Sequence, residues 1–212
     1  AEASAPVVVW REAMPEDLNP RPAHGIDVSG RLAVVAQEYS YESSYGGFGS
    51  VAHYGGVRVF DVSTPAAPVL LGRYQPEAPA RDVRLGGDRA VVVLDDAGTV
   101  VLDLSAPSSP REIARDSSTP ALDVRTDGAR AFVATSGAVH IRDLSSIVPP
   151  TVLGHRDVGG AISALAAHAG YVFAGTASGS LTVYDARGAG AIAPVAQIRA
   201  ARSVTDLAWM AG

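Results

Sequence analysis

Apolar positions along the chain fall in short, valine-rich runs bounded by Gly, Pro, Asp or Ser. Leu32–Ala36, Ala90–Leu94, Ala131–Thr135 and Tyr171–Gly175 are the clearest. Runs this short, β-branched and flanked by turn residues predict strands buried on both faces. The 22 Gly and 14 Pro are spread every few residues and interrupt any long helical pattern. The expected class is all-β.

The runs recur with a fixed period. One phrase appears at Val57-Arg58-Val59-Phe60-Asp61-Val62-Ser63, Val100-Val101-Leu102-Asp103-Leu104-Ser105, Val139-His140-Ile141-Arg142-Asp143-Leu144-Ser145 and Leu181-Thr182-Val183-Tyr184-Asp185-Ala186-Arg187. Its aspartates are 42, 40 and 42 residues apart. A second phrase precedes each copy: Ile26-Asp27-Val28, Arg81-Asp82-Val83, Leu122-Asp123-Val124 and Ala164-Leu165, with Thr205-Asp206-Leu207 following the last. A Pro-rich turn and a further run, such as Pro68–Tyr74 or Pro110–Arg115, complete each unit. Four strands per period of about 41 residues is the signature of a β-propeller blade. Leucine-rich repeats have shorter periods, and TPR or ankyrin repeats need helical spacing.

The repeated residues have physical reasons. Valine runs suit strands packed between neighbouring blades. The aspartate closing each third strand can accept backbone N–H bonds from the turn after it. Gly86-Gly87 and Asp127-Gly128 suit the hairpin between first and second strands.

The combined pattern A-x-D-V, then G-x-x-A-x-V-A, then V-x-D-V-S-x-P-x-x-P-x-x-x-G resembles the bacterial LVIVD repeat. Residues 23–74 and 80–115 carry the resemblance best, 121–156 less closely, and the unit ending Leu181–Asp185 is phrased more like WD40. The resemblance implies a secreted or envelope-associated propeller within a larger protein. It brings no catalytic residues with it.

One incomplete propeller domain is expected over residues 1–212, as in a fragment of a longer propeller, with blades at approximately 23–74, 80–115, 121–156 and 161–199. Residues 6–12 read as an orphan outer strand and 203–209 as an orphan inner strand. Four blades with two orphan strands leave open sheet faces, which invite a protein partner or a second copy of the chain.

Charge narrows the partners. The net charge is −5, and all 17 basic residues are arginines without any basic run. Nucleic-acid binding, which needs a clustered basic face, is therefore not expected. No stretch approaches the ~18 apolar residues of a spanning helix, so membrane insertion is not expected. The absence of cysteine excludes disulfides and thiolate metal sites. The small, polar start Ala1-Glu2-Ala3-Ser4-Ala5-Pro6 resembles a mature terminus or a linker, and an extracellular, periplasmic or envelope location is expected.

Two groups of residues are candidates for function. The first repeat breaks the rhythm, with 55 residues between Asp27 and Asp82. The extra residues join its second and third strands and hold Tyr39, Tyr41, Tyr45, Phe48, His53 and Tyr54 among Ser and Gly. Tyr–Ser–Gly mixtures suit adaptable binding loops, although such a loop can equally fold down as a cover. The second group is Asp27, Asp82, Asp123 and Asp206, at one position of successive first strands. They can bond a neighbouring blade's backbone, or converge on a structural cation. No other cofactor is expected.

No GxSxG, P-loop, HExxH or GxGxxG motif is present. The expected function is a non-enzymatic binding or scaffold module. The alternative is a propeller enzyme, of metal-dependent hydrolase or lactonase type, using the first-strand carboxylates, since first strands line a propeller's central channel.

Overall fold

A computed structural model describes residues 19–45, 48–145, 151–188, 192–200 and 202–208; side chains are described from residue 23 onward, except those of 38–55, 151 and 152. The expected outer strand at residues 6–12 lies outside the described residues.

The described chain is all-β. Four antiparallel sheets follow one another, each with its strands in sequence order. The first blade is β1 (Asn19–Ser29), β2 (Leu32–Tyr45), β3 (Phe48–Asp61) and β4 (Val69–Tyr74). The second is β5 (Ala80–Gly86), β6 (Arg89–Leu94), β7 (Gly98–Asp103) and β8 (Arg111–Asp116). The third is β9 (Asp123–Asp127), β10 (Arg130–Ala134), β11 (Ala138–Asp143) and β12 (Thr151–Asp157). The fourth is β13 (Ile162–His168), β14 (Tyr171–Thr176), β15 (Ser180–Asp185) and β16 (Ala193–Arg199).

First strands of successive blades lie side by side: β5 packs on β1 and β9, and β13 packs on β9. The blades stack face to face, and each junction has its own core. β6 shows why the valine runs are continuous. Ala90, Val92 and Leu94 face the first blade and join Val34, Ala36, Val57 and Val59. Val91 and Val93 face the third blade and join Val124, Ala131 and Val133. The junction of the third and fourth blades is filled by Phe132, Ile141, Leu165, Val172 and Tyr184. A strand sandwiched on both sides needs apolar residues at every position rather than at alternate ones.

The turns follow the sequence signals. β5 and β6 are joined through Gly87 (φ 66) and β9 and β10 through Gly128 (φ 58), the left-handed geometry that tight two-residue hairpins require. All four third-strand aspartates bond the backbone two residues on: Ser63 N–H donates to Asp61 at 2.8 Å, Ser105 to Asp103 at 3.0 Å, Ser145 to Asp143 at 2.8 Å and Arg187 to Asp185 at 3.0 Å.

A regular irregularity accompanies them. Each outer strand carries one unpaired residue at the same place, Leu71, Ile113, Leu153 or Val195, opposite the step before the repeated aspartate. Bulges of this kind bend a strand and sharpen its twist, so the outer strands turn away from the sheet plane.

The stack has uncovered faces. On β1, Ile26 and Val28 are 61% and 56% exposed. β16 is exposed along its whole length, with Val195 at 54% and Ile198 at 57%. The inner strand expected at 203–209 does not form a ladder over the described residues up to 208. That stretch is held at Val204, whose N–H donates to the Thr176 carbonyl at 3.2 Å and whose carbonyl accepts from Ser163 Oγ at 2.6 Å. A strand needs a neighbour with matching free backbone groups along its length, and these two bonds supply only one anchor point.

Candidate functional site

The first-strand aspartates lie at the inner edges of the blades, and they differ in what they bind. Asp27 accepts from its neighbour Val28 N–H at 3.0 Å and, across the blade boundary, from Leu85 N–H at 2.8 Å. This is the backbone-bonding role expected of the series. Asp206 takes the local bond, from Leu207 N–H at 2.8 Å.

Asp82 and Asp123 are brought together, with two arginines between them. Arg84 Nη1 lies 2.8 Å from Asp82, and Arg125 Nη1 bonds Asp123 and lies 3.5 Å from Asp82. The same nitrogens also donate to backbone carbonyls: Arg84 to Val83 at 2.9 Å and to Ile26 at 3.2 Å, Arg125 to Val124 at 2.7 Å. The result is a charge ladder that crosses the first three blades. Burial pushes the Asp82 carboxyl above its ordinary range against the pull of Arg84. Burial likewise pushes Asp123 up to about 6, with the neighbouring Asp82 charge adding to the effect.

The cation site expected of Asp27, Asp82, Asp123 and Asp206 does not assemble. No group of three His, Asp or Glu side chains among the described residues converges as a metal site would require. Arg84 and Arg125 occupy the neighbourhood of the central two carboxylates, and a hard cation needs several converging oxygens free of such partners. The arginines escaped the sequence reading, although their signal is there. Asp82-Val83-Arg84 and Asp123-Val124-Arg125 place acid and base two residues apart, on one face of a strand. Asp27-Val28-Ser29 and Asp206-Leu207-Ala208 lack the arginine.

Beside the ladder a pocket of about 330 Å³ opens between His24, Ala80, Arg81, Asp82, Asp95 and Leu122. Arg81 and Asp95 form an exposed ion pair across it at 2.9 Å. Arg81, like His24, sits where a first-strand bulge shifts the ladder register, which directs it away from the sheet ladder.

The Tyr-rich insertion is a ribbon rather than a loop. β2 and β3 run 14 residues each, against 5 to 7 for the strands of the other three blades. Their pairing continues unbroken from Leu32↔Asp61 to Tyr45↔Phe48. The register pairs Tyr39 with Tyr54, Tyr41 with Ala52, Ser43 with Ser50 and Tyr45 with Phe48. Directly opposed residues two apart share one face, so Tyr39, Tyr41, Tyr45, Phe48 and Tyr54 occupy positions on a single face. His53 pairs with Ser40 and belongs to the other face. The side chains of all six candidates lie outside the described residues.

Successive four-stranded antiparallel blades, packed through their faces around adjacent first strands, define a β-propeller. Within that class, two segments of the chain, residues 43–76 and 79–115, match the LVIVD repeat family model, and both fall in the first two blades. Among solved structures it is similar to the computationally designed Ika8 protein, with a TM-score of 0.59 and 14% identity over 89% of this chain and 65% of that one. The chain thus spans about 65% of the length of that protein, and the likeness concerns the fold alone. No curated protein matches the sequence.

Proposed function

We propose that the chain is a non-enzymatic binding or scaffold module, part of a larger secreted or envelope assembly, that engages a protein partner through the β2–β3 ribbon. The observation that carries this reading is the ribbon's register, which gathers five aromatic positions onto one face of a hairpin that outruns its sheet. Tyrosine combines large contact area with a polar tip and few rotatable bonds, and serine and glycine between aromatics let the surface adapt. Support for binding over catalysis comes from the first-strand carboxylates, which are engaged by backbone N–H groups and by Arg84 and Arg125.

The test uses the whole chain and a shortened one in which a two-residue Asn-Gly turn replaces residues 39–54. A peptide-display library is panned against both. The intact protein is expected to enrich a shared motif, and the shortened protein and a Tyr39→Ser/Tyr41→Ser/Tyr54→Ser variant are expected to lose it while keeping the same far-UV spectrum and melting temperature. Equal enrichment by intact and shortened proteins would sink the assignment. Cell fractionation tests the location, with recovery in the cytoplasmic fraction as the contrary result.

A further inference from the structure

Among the described residues, the junction of the second and third blades holds a buried arginine at a position that is apolar or aromatic at the other two junctions. In the third strands of the second, third and fourth blades, the residue before the repeated aspartate faces the preceding blade. It is Leu102, Arg142 and Tyr184 in turn, each buried. Leu102 and Tyr184 join the cores at their junctions. Arg142, only 7% exposed, instead reaches back to Asp116 at the end of β8 and forms an ion pair through Nη2. Its Nε–H is fully buried and has no partner among the protein groups.

A buried polar hydrogen without an acceptor is costly, and a guanidinium more so than a neutral donor. The site around Arg142 is shaped to answer that cost. A cavity of about 10 Å³ lies against it, lined by Thr99, Asp116, Thr119, Thr135 and His140. Thr99 and Thr135 are 3% and 5% exposed, so their hydroxyls face the interior. Thr135 is occupied locally, bonding the Ala138 carbonyl at 3.1 Å. Burial, and then the charges of His155 and Arg142, lower the pKa of His140 and favour its neutral form.

We propose that this cavity is a built site for one ordered water molecule, which accepts from Arg142 Nε–H and donates to the Thr99 hydroxyl or the Asp116 carboxylate. Volume and charge select the occupant. Roughly 10–15 Å³ of this kind of space holds one water, which needs two to four polar partners. A halide is larger and would bring a negative charge to a guanidinium already neutralised by Asp116. The water adds a hydrogen-bonded contact to the second junction at a position that is filled by Leu102 at the first and by Tyr184 at the third.

Two measurements decide it. A high-resolution crystal structure of the intact chain is expected to show one well-ordered peak within hydrogen-bond reach of Arg142 Nε and a second polar atom of the cavity. An empty cavity, or an Arg142 Nε bonded directly to protein, overturns the proposal. So does an anomalous peak there after a bromide soak. In solution, oxygen-17 relaxation dispersion counts long-lived internal waters. Arg142→Leu, which installs the residue of the second blade, is expected to lose one such water. An unchanged count in a folded Arg142→Leu protein contradicts the assignment. Should that variant not fold, the crystal structure of the unmutated chain still decides.

Discussion

Asp27 and Leu85 are tied across a blade boundary: the carboxylate of one first strand accepts the backbone N–H of the next at 2.8 Å. Leu85 is buried at 5% exposure, so removing the acceptor strands an interior donor. Asp27→Ala is expected to destabilise the fold by about 1–2 kcal/mol, within the range for an unsatisfied buried group. Asp27→Asn, which keeps an acceptor oxygen, is expected to cost less. Chemical denaturation of the two variants checks the order, and equal losses would show that the bond to Leu85 contributes nothing.

The ladder between Asp82 and Asp123 gives a pH signature of unusual sign. Burial raises both carboxyls, Asp123 to about 6 from an ordinary 3.8. Over that interval the folded state holds more protons than the unfolded chain. Stability from Asp123 is therefore fully present below 3.8 and is lost as pH rises through about 6, and Asp82, raised by burial, contributes with the same sign. Asp116 acts oppositely: Ser118 and Arg142 hold it down at about 2, so its contribution is present above 3.8 and is lost as pH falls toward 2. Asp123→Asn is expected to flatten the decline between pH 4 and 6 without altering the acid limb. Urea midpoints measured across that range check this, and an unchanged slope in Asp123→Asn would count against the raised carboxyl.

Much of this organisation is legible in the sequence because it repeats. The period, the valine runs and the Asp-x-Ser turns are local patterns, and each occurs often enough to set its own register. The bond from Leu85 to Asp27, the approach of Arg125 to Asp82 and the bulges at Leu71, Ile113, Leu153 and Val195 depend on how neighbouring strands stagger. That stagger is set by packing between blades, which a linear pattern does not encode. The ribbon illustrates the same divide. Composition singles out Tyr39–Tyr54, but only the pairing of Tyr45 with Phe48 shows that the segment is two strands and that five aromatic positions share a face. The meeting of Arg84 and Arg125 with the first-strand aspartates Asp82 and Asp123 in one ladder depends on the same stagger.

Close approach of first strands makes one glycine sensitive. A Cβ at Gly25 would sit 2.8 Å from Asp82 Cα and 2.9 Å from Val83 N, both backbone atoms that cannot swing aside. Gly25→Ala is expected to cost about 1–3 kcal/mol through overpacking at the first junction. Gly30, where a Cβ meets nothing, shares the blade and serves as a partial control, its φ of 58 carrying its own strain. Thermal melts separate the two: a Gly25→Ala protein as stable as the parent would mean the first two blades are not packed as described.

Because β6 divides its side chains between two cores, its substitutions should act on different junctions. Val92 belongs to the core shared with the first blade and Val93 to the core shared with the third. Removing two buried methyl groups from either is expected to cost roughly 2 kcal/mol. Hydrogen exchange is expected to quicken in the first blade for Val92→Ala and in the third for Val93→Ala, since stacked repeats transmit stability to nearest neighbours. The same exchange pattern in both variants would argue that the blades open as a single unit.

The exposed faces supply the last expectation. Ile26 and Val28 on the first blade, and Val195 and Ile198 on the fourth, present β-branched side chains to solvent. Apolar sheet faces of this kind are protected in folded assemblies by another chain, because both the apolar area and the adjacent strand edge favour association. Since the two faces belong to opposite ends, one copy's first blade can meet another's fourth, a head-to-tail contact that closes or extends according to its rotation. The purified 212-residue chain is therefore expected to associate with rising concentration in light scattering. Ile26→Ser/Val28→Ser and Val195→Ser/Ile198→Ser, made separately, should each lower the mass, because a head-to-tail contact needs both surfaces. A parent protein that stays monomeric at high concentration, or variants that associate as the parent does, would place the binding surface elsewhere and leave the aromatic ribbon as the remaining candidate for partner recognition.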